Sequence, residues 1–171
     1  MSDATPRPTD RDALATTRRW IERVAEARRT RAPMLLVAGI PYARFLGVSA
    51  ELEDEDLIGR LAFSERLIGN PVLPALHGGT VGALLEMTAL VTVAWRVEGI
   101  GVPKIITLTI DYLRSARPED VRAQGYVTKQ GRRVVNVFVR AWQRDPEQPI
   151  ASANAHFLVD APGAGGAPGS E

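Results

Sequence analysis

Between Gly78 and Trp95 the chain reads GGTVGALLEMTALVTVAW, and its one ionisable side chain, Glu86, sits at the middle. At about 1.5 Å per residue such a helix stops just short of a bilayer core. The run is rich in Gly, Thr and Ala, and a carboxylate at its centre would be costly in lipid. It reads as the buried helix of a water-soluble fold. Apolar residues cover every side of it, so the remaining chain must wrap it.

The flanking segments supply a wrapping. Asp10 to Arg31 reads as a helix with a thin stripe of Leu14, Thr17, Ile21, Val24 and Arg28 and a basic surface. Pro33 to Tyr42, punctuated by Pro33, Gly39 and Pro41, reads as a loop or short turn. From Leu46 the period becomes two: Leu46, Val48, Ala50 and Leu52 alternate with Gly47, Ser49, Glu51 and Glu53. The acidic Glu53–Asp56 stretch turns the chain into a second strand, Leu57 to Phe63. Gly69 to Leu76 reads as a loop, and Gly78 to Val97 as the central helix.

Four strand-like segments follow, over Ile106–Tyr112, Val121–Thr128, Val134–Trp142 and Ile150–Val159. The turn residues between them predict an antiparallel meander. The fold class is α+β: a curved antiparallel sheet wrapped round one long buried helix, with an extra N-terminal helix. Boundaries fall at 1–32 for the tail and first helix, 33–160 for the wrapped domain, and 161–171 for a Gly/Ala/Pro-rich tail. Met1–Thr9 and Asp160–Glu171 are expected to be disordered.

Composition narrows the chemistry. The 171 residues contain no cysteine, which rules out disulfides, thiolate metal sites and a Cys nucleophile. Two histidines, His77 and His156, are too few for a metal centre built mainly from His, which leaves Asp/Glu sites open. Lys+Arg number 21 and Asp+Glu 20, so there is no basic excess of the kind nucleic acid requires. No apolar core follows a basic start at the N-terminus, and a cytoplasmic protein is expected.

His77-Gly78-Gly79 stands at the start of the apolar helix. The first N–H groups of a helix lack partners and carry partial positive charge, which suits an oxygen gaining negative charge under attack. Glu86 lies about 11–12 Å further along the axis, too far to serve the same carbonyl from the same helix. A buried carboxylate there must be paired, hydrogen-bonded, protonated or facing a cavity. A site shared by two subunits reconciles the distance: one supplies the helix start, the other the acid. The purely structural alternatives are a satisfied buried Glu86, His77 as a helix cap, and Gly78-Gly79 as close packing.

Asn70…His77-Gly78-Gly79…Leu84-Leu85-Glu86-Met87-Thr88-Ala89 resembles the hotdog-fold acyl-CoA thioesterases of the PaaI-like, phenylacetate-pathway type. The acid nine positions after the His, the Thr107–Arg114 strand and the Gly125–Arg133 hairpin extend the likeness over about Ile40 to Val159. The resemblance implies hydrolysis of an acyl-CoA thioester, with no cofactor beyond the CoA of the substrate, no metal, no nucleic acid and no membrane. It implies a homodimer or a dimer of dimers. Glu86 matches the nucleophile or general base, and Gly78 the backbone N–H that polarises the carbonyl across the dimer interface. His77 matches the residue that orients the thioester. Asn70 and Gly79 fall at substrate-binding positions, and Arg114, Arg117, Arg132 and Arg133, near strand ends or turns, are candidates for the CoA phosphates. Leu90 stands where some relatives place a Ser or Thr one turn after the acid, and Ile105 where others have a Ser. Both favour the alternative of a non-catalytic acyl-CoA-binding or scaffold protein. A hotdog hydratase/dehydratase is the other alternative, although no His precedes His77.

Overall fold

A computed structural model describes residues 10–159, so the two expected disordered tails lie outside the described residues. Helix α1 spans Asp10–Thr30, α2 Met34–Ala38 and α3 Pro41–Leu46. Strands β1 (Val48–Glu53) and β2 (Asp56–Leu61) form a hairpin, and β3 (Ile68–Asn70) pairs with β4 (Ala75–Leu76) in a short ladder. Helix α4 (Gly78–Arg96) precedes β5 (Lys104–Tyr112), β6 (Val121–Gln130), β7 (Val134–Trp142) and β8 (Ala151–Leu158).

Three sequence expectations are corrected here. Pro33 to Tyr42 is not a loop, because Pro33 and Pro41 begin helices and do not break the chain. Pro33 is the N-cap of α2 and Pro41 occupies the first turn of α3. Leu46 ends α3 with its side chain in the core, so it does not open a strand. Between Gly69 and Leu76 the chain makes the β3–β4 ladder.

The main sheet runs β1-β2-β6-β7-β8-β5 and is antiparallel throughout. Only β6, β7 and β8 form the expected meander. β2 already occupies the side of β6 where β5 would have to pair, so β5 crosses to the far side and pairs with β8. That leaves β5 as an edge strand with most of its nine residues exposed.

Helix α4 lies across the inner face of this sheet, in contact with β2, β5, β6, β7 and β8. It is apolar enough to cross a membrane, with mean hydropathy 1.3, yet 61% of its apolar window is buried inside the protein. Leu84 and Leu85 are fully buried, each contributing about 1.5–3 kcal/mol of transfer free energy. Close approach to the sheet is set by two side chain-to-glycine contacts. A Cβ on Gly59 would lie 2.2 Å from Thr88 Oγ1, and one on Gly125 2.4 Å from Thr92 Oγ1. At its far end α4 is tied to α1, since Arg28 donates to the Ala94 and Val97 carbonyls at 2.7 Å each.

The sheet covers one side of α4 and leaves a stripe open. Gly79 and Glu86 are exposed, and Ala83 and Leu90 between and beyond them are half-buried. These positions share one helix face by their three- and four-residue spacing. The expectations that every face of the helix is wrapped and that Glu86 is buried are therefore both corrected. Val135 and Val137 are in the core at 0% and 1% exposure, while Ile106 on the edge strand is 56% exposed.

Candidate active site

The site begins at a crossing of backbones. Leu76 N–H donates to the Ala116 carbonyl at 2.9 Å and His77 N–H to the Leu67 carbonyl at 2.8 Å. These two bonds fix the point where α4 starts. His77 has extended backbone angles, φ −64° and ψ 130°, and caps the helix. Its Nδ1 accepts from Gly79 N–H at 2.9 Å, which assigns the ring proton to Nε2. The His77 carbonyl takes Thr80 N–H at 3.0 Å and Val81 N–H at 3.4 Å, and Thr80 Oγ1 donates to it at 2.7 Å.

This accounts for three of the four N–H groups in the first turn. Gly78 N–H has no acceptor among the described residues. Of the two glycines, Gly78 is thus the one with a donor to offer, while Gly79 serves the cap.

A cleft of about 400 Å³ opens beside this turn, lined by Leu76, Gly78, Val81, Tyr112, Arg114 and Ile150. Tyr112, in the sequence no more than an alternating strand residue, reaches from the end of β5 and donates its phenol to the Gly78 carbonyl at 2.9 Å. A second cleft of about 270 Å³ shares Arg114, Ser115 and Ile150 with the first and adds Arg117 and Arg144. Arg144 is engaged by Glu119 at 2.5 Å, and this hydrogen bond holds the Glu119 carboxyl below the usual carboxylate range. Arg114 donates to the Pro149 carbonyl at 2.7 Å, which keeps its guanidinium at the junction of the two clefts.

Other candidate residues are placed elsewhere. Asn70 Oδ1 accepts from Val72 N–H at 3.0 Å and Leu73 N–H at 3.2 Å, so this oxygen holds the β3–β4 turn. Glu86 lies eight residues along α4 from Gly78, about 12 Å at helical rise. Arg132 and Arg133 occupy the β6–β7 turn, beside a cleft of about 500 Å³ with Lys129. Val134 pairs with Leu158, and Leu158 with Lys104, at the end of the sheet opposite Tyr112. The eight steps of β7 put that turn about 27 Å from the His77 end. Within one chain the helix start and Arg114 come together; Glu86, Arg132 and Arg133 do not join them.

An antiparallel sheet curved over one long helix that starts at His-Gly-Gly is a hotdog fold. The thioesterase superfamily model matches residues 73–150. A solved structure from Chromobacterium violaceum is 36% identical, with 81% of this chain and 97% of that one covered and a TM-score of 0.68. A phenylacetic acid degradation-related protein from Ralstonia eutropha is 25% identical over 80% of this chain and 99% of that one, with a TM-score of 0.62. A Bacillus halodurans protein solved with CoA shares the fold at 18% identity, covering 90% of this chain and 95% of that one, with a TM-score of 0.64. No curated protein matches the chain. This chain belongs to the thioesterase superfamily.

Proposed function

We propose that the protein hydrolyses acyl-CoA thioesters in a site shared by two copies of the chain. The observation that carries this reading is the pair formed by the unengaged Gly78 N–H and the exposed Glu86, on one helix but about 12 Å apart. Neither can complete the other within a chain. The open edge of β5 supplies a way to join them, because antiparallel pairing of two β5 strands runs two α4 helices side by side in opposite directions. Glu86 of the partner subunit then moves toward Gly78. The same pairing brings the partner's Arg132 and Arg133 to the Tyr112 end, where Arg114 stands, and sets three guanidiniums near one end of a bound CoA.

In the reaction, Gly78 N–H donates to the thioester oxygen as it gains charge. Glu86 of the partner subunit attacks the thioester carbon or deprotonates the water that does. The C–S bond breaks and CoA leaves as the thiolate; the water route gives the carboxylic acid directly, and in the nucleophilic route a water cleaves the acyl–Glu86 anhydride to release the acid and restore the carboxylate. His77, with its ring proton on Nε2, orients the thioester. The reaction as proposed draws on no metal or cofactor and suits a cytoplasmic protein. A binding protein without turnover is the second reading; Leu90, half-buried one turn beyond Glu86 on the same stripe, favours it because it offers water no hydrogen bond.

Thiol release from short-, medium-, long-chain and aryl-CoA esters tests the proposal. Wild type is expected to turn over at least one class, and Glu86→Gln to lose about a hundredfold or more of kcat with its fold and assembly intact. Equal turnover in the two proteins removes Glu86 from the mechanism. Tight binding with no thiol released selects the second reading.

A further inference from the structure

The first peptide of α4 is held from two directions. Its carbonyl, on Gly78, accepts from Tyr112 Oη at 2.9 Å, and its N–H, on Gly79, donates to His77 Nδ1 at 2.9 Å. One grip comes from the sheet and the other from the helix's own cap. Together they fix the rotation of this peptide plane on one side of Gly78, while the Gly78 N–H lies in the preceding peptide, whose His77 carbonyl is held by Thr80 and Val81 N–H, so the two planes that meet at Gly78 Cα are both anchored.

Burial does not explain why Tyr112 sits there, since the residue is 56% exposed. Space is kept for it by glycines. A Cβ on Gly78 would lie 3.3 Å from two atoms of the Tyr112 ring. One turn along, a Cβ on Gly82 would lie 3.3 Å from Tyr112 Oη and 3.0 Å from Ile110 Cδ1. A side chain at either position would crowd the phenol by a few tenths of an ångström, and at Gly82 it would crowd Ile110 as well. Gly82 is itself buried, and its missing side chain leaves room for Tyr112 Oη and Ile110 Cδ1 together.

We propose that Tyr112 is a positioning residue of the thioester site, aiming Gly78 N–H through the first peptide of α4, and that Gly82 is kept as glycine to admit it. This rests on the reading that Gly78 N–H polarises the thioester carbonyl. Tyr112 touches no reacting atom in this role.

The test uses the full chain as Tyr112→Phe, Gly82→Ala and the double variant. It measures kcat and KM on the best acyl-CoA substrate, and the carbonyl stretch of a bound aryl-CoA in a Glu86→Gln background. Loss of one neutral hydrogen bond predicts a fall in kcat of about fivefold for Tyr112→Phe, with KM little changed. The carbonyl band should shift back toward its frequency in free substrate. Gly82→Ala should reproduce both effects, and the double variant should fall no further than Gly82→Ala alone, because the two changes break one contact. A Tyr112→Phe enzyme with wild-type kcat and an unmoved band overturns this proposal alone, provided turnover still depends on Glu86. Wild type that neither binds nor cleaves any thioester overturns it together with the functional reading. A matched melting temperature for Tyr112→Phe keeps a folding defect from imitating the expected result.

Discussion

At the scale of single residues, His77 joins stability to chemistry. Its Nδ1 takes the Gly79 N–H, so the ring is an N-cap as well as a neighbour of the site. His77→Ala should cost about 1 kcal/mol, the usual worth of a cap, read from urea unfolding. Asn at this position can accept the same N–H with its side-chain oxygen but has no Nε2–H to present. His77→Asn should therefore recover the stability while thiol release stays below wild type. If Asn restores both, the ring is a cap and nothing more. The spacing of His77, Gly78 and Glu86 was legible in the sequence. The exposure of Glu86 and the bond from Tyr112 to Gly78 were not. Periodicity reports which residues are apolar, but it does not say which side of an apolar helix the chain itself covers. Tyr112 meets Gly78 across 34 positions, and the visible hint was the small-residue pair Gly78 and Gly82 one turn apart.

At the scale of elements, α4 is held close to the sheet where Thr88 meets Gly59 and Thr92 meets Gly125. Gly125→Ala would place a methyl group 2.4 Å from Thr92 Oγ1 and 3.1 Å from its Cβ. The helix must then lift, at about 1–3 kcal/mol for overpacking. Thr92 Oγ1 bonds only within the helix, to the Thr88 carbonyl at 2.7 Å, so removing it strands no distant partner. Gly125→Ala with Thr92→Ala should regain part of the loss in the same urea experiment. If the two losses simply add, the contact is not what sets the helix height. Strands and the central helix were readable from period and length. Helices α2 and α3 were not, because proline and glycine mark helix ends as well as loops, and five or six residues show no period. The place of β5 beside β8 was hidden for a different reason: strand order depends on which partner is already taken, and that is a property of the whole sheet.

At the scale of the molecule, the open face of α4 and the open edge of β5 describe one unfinished surface. The sequence gives α4 apolar residues all round, which is more than a single sheet can cover. Ile106 on β5 is 56% exposed and carries no chemistry of its own. Ile106→Lys should shift the protein toward monomer in sedimentation velocity and lower turnover in step with the loss of dimer. Monomer with undiminished turnover would place a complete site within one chain, contrary to the shared one proposed here.

The two edges of the sheet differ in kind. β1 is six residues long, packs against α2 and α3, and carries Glu51 and Glu53, which pair with Arg60 and Arg122. β5 is nine residues long, and its edge offers Ile105, Ile106 and threonines in place of paired charges. A sheet with one closed edge and one open edge has a valence of one. Joined edge to edge it makes a pair and stops, because no second open edge remains to continue a fibre. The arrangement that would complete a catalytic centre is thus the same one that would cap growth, and by completing itself once a protein with a long exposed strand would stay out of aggregates.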